Sequence, residues 1–219
     1  MNTKFDCDKN FWYNKRKERK KVMKFIDYVE KLKLEARKQN IRIVREEVDK
    51  SWVKTKINTF ITAWDGMWTA EEVKEQILTN DIVAAKFAKD PGRQNIGEVA
   101  VNNLLGADKK LGVNQVRFDA NGEMVSGPTR AGCSKSADYF LDDGIYYTQK
   151  FTTGSGGAQD LAYHDVVEFL EKGSILYKVG AILDGTYWNG GKRESLKRYF
   201  ADNPNVVIIS MDDIKQYEE

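Results

Sequence analysis

The sequence contains few of the residues that build thiol and imidazole metal sites. It has two cysteines, Cys7 and Cys133, and one histidine, His164, in 219 residues. The two cysteines match neither the spacing of zinc ligands nor a disulfide scaffold. These shortages argue against a metal centre built from histidine and cysteine, and they predict a reduced, cytoplasmic protein.

Long apolar runs are also missing. No apolar segment approaches the roughly twenty residues that a helix needs to cross a bilayer. The first ten residues, MNTKFDCDKN, lack the hydrophobic region of a signal peptide. The sequence therefore predicts neither export nor membrane insertion.

The charge is nearly balanced, with 35 Lys and Arg residues against 33 Asp and Glu residues. A hydrophobic content of 41% suits an ordinary globular core and excludes a fully disordered chain. One segment departs from the balance: residues 15–24, KRKERKKVMK, contain a single acid among seven basic residues. This run is either the solvated face of a helix or a surface that contacts phosphates.

The first 92 residues predict a helical region. Apolar residues at helical spacing indicate a long amphipathic helix over residues 14–48, broken near Gln39-Asn40. The aromatic-rich stretch 52–68 is interpreted as packing against it, with its tryptophans in the core. Thr69 followed by acids predicts a capped helix, and a second short helix is expected after Asp81.

From residue 93 onward, helical and strand-like patterns alternate. They predict a helix that ends at Gly106, a turn-rich segment over 112–130 and a hairpin, followed by a helix over 158–171, a strand over 175–183, a helix over 192–200 and a strand over 206–209. This order indicates an α/β fold in which helices flank a mixed central β-sheet. The predicted regions are thus 1–92 and 93–219.

The predicted hairpin carries the residues of greatest chemical interest. Asp138 precedes one apolar run, and a second run ends on Lys150. Asp143-Gly144 lies between them and favours the positive φ values of a tight hairpin turn. Side chains alternate along a strand, so Thr148 and Lys150 should share a face. A carboxylate beside an ammonium group is suited to a metal-dependent phosphodiesterase.

These residues and elements resemble the core of the PD-(D/E)XK nuclease superfamily, and most of all its type II restriction endonucleases. The matching region runs from about residue 94 to 209. Glu98 corresponds to the acid on the helix before the hairpin, Ser136-Ala137-Asp138 to the family's Pro-Asp position, and Lys150 to its lysine. Thr148 departs from the pattern, because the family has Asp or Glu at that position.

The resemblance implies an enzyme that cleaves double-stranded DNA at a short specific site, with Mg²⁺ as cofactor and a homodimer as the acting form. Asp138 would bind the metal, with Glu98 as a second ligand. Lys150 would activate the attacking water and stabilise charge on the phosphate. Thr148 or Gln149 would position water or a phosphate oxygen.

The acid missing at Thr148 leaves several interpretations open. Either the protein functions without a negative charge at this position, or Asp160 or Asp165 in the following helix supplies that charge. Of the two, Asp165 has the more usual spacing. Alternatively, Thr148 is an introduced replacement, or the protein is a nonhydrolytic DNA-binding relative. A repair or junction-resolving nuclease would share the same core. In a structural protein, by contrast, Asp138 and Lys150 would form an ordinary cross-strand ion pair.

The basic N-terminal helix would contact the DNA backbone or build the dimer interface. Contacts to DNA are also expected from the glycine-rich loop at 154–159 and from the polar loop at 184–193. Small residues let backbone approach phosphates, and a helix that starts at such a loop presents free N–H groups. A mobile connector and simple turn chemistry are the respective alternatives. The predicted contacts are Lys15, Arg16, Lys20, Lys21, Arg93, Gly156, Gly157, Gln159, Lys192 and Arg193.

Overall fold

The computed structural model describes residues 22–91, 94–128, 131–153, 157–214 and 217–218. The predicted DNA contacts Lys15, Arg16, Lys20, Lys21, Arg93 and Gly156 lie outside these residues. Within the described ranges, no helix combines the length and the apolar character needed to span a bilayer.

Helices and strands of the described residues are numbered in chain order. The helices are α1 (Phe25–Glu46), α2 (Ser51–Ala63), α3 (Ala70–Thr79), α4 (Asp81–Phe87), α5 (Ile96–Leu105), α6 (Gly157–Gly173), α7 (Arg193–Tyr199) and α8 (Met211–Ile214). The strands are β1 (Val22–Met23), β2 (Arg117–Phe118), β3 (Met124–Val125), β4 (Tyr139–Phe140), β5 (Tyr146–Phe151), β6 (Val179–Asp184), β7 (Val206–Ile209) and β8 (Tyr217–Glu218).

The central sheet has four strands in the order β4-β5-β6-β7. β4 runs antiparallel to β5, whereas β5, β6 and β7 are mutually parallel. The connections between the parallel strands contain α6 and α7, because parallel strands need a crossover connection, which is usually a helix. Every residue of β6 is buried, because helices cover both faces of the sheet. The predicted mixed sheet flanked by helices is confirmed.

Each face of the sheet has its own hydrophobic core. Ala181 and Leu183 of β6 face α6 and α7, where Phe169 and Trp188 are fully buried. Ile182 points to the opposite face, toward the first half of α1 and toward α5 and α8, as alternation along a strand requires.

A third core holds the helical region together. Val44 near the end of α1 packs with residues of α2, α3 and α4, among them Ile57 and Ile77. Phe25 and Val29 at the start of α1 belong instead to the core beneath the sheet. The two regions predicted from the sequence therefore share α1, which bridges them.

Two details of the predicted helical region are wrong. First, α1 continues without a break through Gln39-Asn40. Asn40 is buried there, and its amide donates to the Lys89 carbonyl and to Gln94 Oε1, both at 2.8 Å. Tertiary partners thus satisfy an amide whose local preference is to end a helix.

Second, the tryptophans Trp64 and Trp68 are not core residues, since they are 55% and 42% exposed. They follow the end of α2, where Asp65 and Gly66 adopt positive φ values and turn the chain. The capped helix at Thr69 is confirmed: the Thr69 hydroxyl accepts from the Glu72 N–H, and the Glu72 carboxylate accepts from the Thr69 N–H.

Candidate functional site

The predicted hairpin forms and places Asp138 beside β5. Tyr139 of β4 pairs with Tyr147 of β5, so Asp138, one residue earlier, stands opposite Thr148. The turn needs a glycine at Gly144, where φ is +76°. Asp143 closes the turn by accepting the Ile145 N–H at 3.0 Å.

Two groups of β5 hold the Asp138 carboxylate. Its Oδ2 accepts the Gln149 backbone N–H at 2.7 Å and the Thr148 hydroxyl at 3.2 Å. Burial raises the pKa of Asp138, and the neighbouring Glu98 carboxylate raises it further. The Lys150 ammonium and the two hydrogen bonds oppose this rise. Thr148 therefore donates a hydrogen bond to Asp138 and does not supply the acid that the resembled family has at this position.

Lys150 and Glu98 approach Asp138 from different elements. Lys150 lies near the carboxyl end of β5, and Glu98 lies in the first turn of α5, where its carboxylate pairs with the Lys110 ammonium at 2.6 Å. In the described part of the chain, no ion pair joins Lys150 to Asp138 within 4 Å. The cross-strand ion pair expected of a purely structural role is therefore not formed.

A pocket of about 290 Å³ opens beside these residues. Its walls are Lys33 of α1, residues 95–98 at the start of α5, residues 149–151 of β5, and Pro91 and Thr153. The pocket thus lies between the helical region and the carboxyl end of β5.

Gly97 sets the geometry of this pocket. A Cβ at Gly97 would lie 2.5 Å from the Cβ of Phe151, so α5 packs directly against β5 and tolerates no side chain there. This close approach carries Glu98 toward Lys150. Lys33 and Gly97 were both missed by sequence reasoning, because each acquires its place only through contacts between distant segments.

Gln149 contributes more than its backbone. Its side chain is 8% exposed and lines the pocket. The carboxamide Nε2 is buried and has no hydrogen-bond partner among the described residues. Buried polar groups are normally satisfied, so this donor requires an explanation.

The carboxylates proposed to replace the missing acid both lie on α6. Asp165 comes eight residues after the start of α6, which is about 12 Å along the helix axis. Asp160 accepts the Tyr187 hydroxyl at 3.2 Å. Among the described residues, no three acidic, histidine or cysteine side chains cluster so as to hold a metal ion. The predicted ligand set of Asp138, Glu98 and Asp165 is therefore not assembled in this structure.

The predicted DNA contacts that fall within the described residues lie near the same end of the sheet. Gly157 begins α6, and Gln159 is half-buried in its first turn. The exposed Lys192 ammonium lies 5.3 Å from the ring centroid of Tyr163. Arg193 instead donates to the Leu183 carbonyl at 3.1 Å and so supports the end of β6. The contacts of these four residues with DNA stay a prediction.

Asp184, at the carboxyl end of β6, is a buried acid. From the sequence, it begins the polar loop predicted to contact DNA, with simple turn chemistry as the alternative. It is 3% exposed and accepts the Met211 N–H at 3.1 Å. Burial raises its pKa to about 7, against the opposing effects of that hydrogen bond and of the Arg193 charge. It pairs across the parallel ladder with Phe151, the last residue of β5.

No known protein family, curated protein or solved structure matches this chain.

Proposed function

We propose that the protein is a magnesium-dependent endonuclease of the PD-(D/E)XK type, with a restriction-endonuclease-like core. It would cleave double-stranded DNA at a short specific site as a cytoplasmic homodimer. The observation that supports this proposal is the convergence of Asp138, Glu98 and Lys150 at one end of the sheet. They come from a hairpin and from a helix start that Gly97 holds against the strand.

The residues present fit a magnesium ion. Mg²⁺ is commonly held by one or two carboxylates, with waters and substrate phosphates as its other ligands. Asp138 Oδ1 receives no hydrogen bond from the described residues, whereas Oδ2 receives two. The Glu98 charge disfavours ionisation of Asp138, and a cation between the two carboxylates would relieve that repulsion. The bound ion would act as a Lewis acid toward the phosphate.

The protein's own groups would then divide the remaining work. Lys150 has no ion-pair partner in the described part of the chain, so its ammonium is available to orient the attacking water and to stabilise charge on the phosphate. Thr148 and the Gln149 N–H would fix the orientation of the Asp138 carboxylate. In this account Thr148 is a positioning residue.

The test is incubation of the purified protein with phage-length duplex DNA and Mg²⁺. We expect discrete fragments from the wild type and intact DNA from Lys150→Ala or with EDTA. Lys178→Ala is the matched control, because the exposed Lys178 precedes β6 at the opposite end of the same sheet. Equal cleavage by wild type and Lys150→Ala would contradict the proposal.

A second candidate is a DNA-binding relative without catalysis. It is favoured by Thr148, which donates a hydrogen bond where the resembled family places a metal-binding acid. This candidate predicts that duplex DNA binds at low salt and stays intact with Mg²⁺. A gel shift run beside the cleavage assay separates the two candidates.

A further inference from the structure

The pocket beside the proposed catalytic residues contains several hydrogen-bond donors that lack acceptors. Gln149 is 92% buried, and its Nε2 has no partner among the described residues. The pocket is not a purely apolar cavity, because Gln149, Lys33, Lys150 and the polar start of α5 all line it. An unpaired donor of this kind indicates that an acceptor belongs there.

The start of α5 supplies further donors. Asn95, at the N-cap, adopts a left-handed backbone conformation and makes no capping hydrogen bond with its side chain. The first N–H groups of any helix lack intrahelical acceptors, and here no cap side chain replaces them. The helix is ten residues long, so its dipole also favours an anion at this end.

An ammonium group completes the lining. Lys33 comes from the third turn of α1, pairs with Glu30 at 2.7 Å, and lies 5.7 Å from the ring centroid of Phe151. An ammonium has three donors, so Glu30 leaves donors of Lys33 available. Lys150 also lines the pocket, but its side chain points to the face of β5 opposite to that of Gln149. Glu98 is the one acid on the wall, and Lys110 already pairs with it.

We infer that this pocket binds a phosphate group of the DNA strand, held by the Gln149 carboxamide, the Lys33 ammonium and the free N–H groups that begin α5. The inference rests on the proposed function for its choice of DNA as the source of the phosphate. Side chains of adjacent strand residues point to opposite faces, so Gln149 and Lys150 contact different phosphates. Lys150 serves the phosphate that is cut, and Gln149 and Lys33 hold its neighbour.

The size of the pocket agrees with this assignment. Its volume is about 290 Å³, and a water molecule occupies about 30 Å³ of liquid. A phosphate group with five heavy atoms and a few waters therefore fits. Lys33 and Gln149 are thus assigned to binding the strand rather than to the bond-breaking step.

The experiment monitors the Gln149 side-chain amide by ¹H–¹⁵N NMR, with its resonance assigned from its loss in Gln149→Met. Inorganic phosphate is titrated into wild type, Lys33→Met and Lys31→Met in metal-free buffer with EDTA. We expect a saturable shift in the wild type and about tenfold weaker binding in Lys33→Met, the loss expected for a charged hydrogen bond. Lys31→Met should match the wild type, because Lys31 is exposed on α1 and does not line the pocket.

A short random-sequence duplex is then titrated under the same conditions. A shift of the Gln149 amide by both probes supports the inference. A shift by inorganic phosphate alone would overturn the assignment to DNA, and no shift by either probe would overturn the pocket as a phosphate site. Because no metal is present, cleavage is not needed for this readout. If DNA shifts the Gln149 amide resonance but the protein never cuts DNA, the proposed function is refuted and this inference still holds.

Discussion

Replacing Asp184 by asparagine should stabilise the protein at high pH and leave its stability unchanged at low pH. Asp184 is 3% exposed, and burial raises its pKa from 3.8 to about 7. The unfolded chain, with the ordinary pKa, releases its proton near pH 4, whereas the folded protein releases it near pH 7. The stability that protonated Asp184 contributes is therefore fully present below pH 4 and is lost as the pH rises to 7.

The magnitude follows from the difference between the two pKa values. Each pH unit in which only the unfolded chain is ionised costs about 1.4 kcal/mol, so the loss between pH 4 and 7 is at most about 4 kcal/mol. Asparagine does not ionise, and its side-chain oxygen can still accept the Met211 N–H. We therefore expect Asp184→Asn to exceed the wild type by up to about 4 kcal/mol at pH 8.

Urea unfolding of both proteins at several pH values from 4 to 8 measures this difference. Asp202→Asn is the control, because Asp202 is exposed and its replacement should change stability by the same small amount at every pH. If the difference between Asp184→Asn and the wild type does not vary with pH, or if the variant is less stable at pH 8, then the burial argument is refuted.

Three further substitutions test the packing of the site. Gly97→Ala should cost about 1–3 kcal/mol in thermal unfolding and lower DNA cleavage, because its Cβ meets β5 at 2.5 Å, whereas Gly190→Ala faces open space and should leave the stability unchanged. Asn40→Ala should cost about 1–3 kcal/mol in urea unfolding because the Lys89 carbonyl and Gln94 Oε1, which take part in part-buried hydrogen bonds, lose their donor, and an unchanged midpoint would refute that role. Thr148→Val should cost about 1.5–3 kcal/mol, because the half-buried Asp138 carboxylate loses a donor, and full stability would show that the Asp138 contact contributes little.

Local patterns predicted the hairpin and the elements around it. Alternating side chains and an Asp-Gly turn specify a hairpin whatever surrounds it, and Tyr139 does pair with Tyr147. The capping box at Thr69 is equally local, since its two hydrogen bonds join residues three apart. These features place Asp138 and Lys150 on the same hairpin.

Features that depend on distant contacts were not predicted. Nothing in the sequence around Gly97 shows that Phe151 will lie against it, and nothing around Lys33 shows that α1 will line the pocket. The break expected at Asn40 failed for the same reason, because its partners lie about fifty residues away. Trp64 and Trp68 failed because aromatic character alone does not say which side of a turn faces solvent.

The central claim is that the Asp138 carboxylate is essential for cleavage of DNA. Asp138→Asn tests it most directly, because the amide oxygen can still accept the Gln149 N–H while the charge is removed. The control is Asp202→Asn, because Asp202 is an exposed carboxylate outside the hairpin and the pocket. The account predicts that Asp138→Asn cleaves duplex DNA at least about 100-fold more slowly than the wild type, the effect typical of losing an essential catalytic group. It also predicts that the variant still binds DNA and that Asp202→Asn cuts normally. Cleavage by Asp138→Asn at the wild-type rate would contradict it.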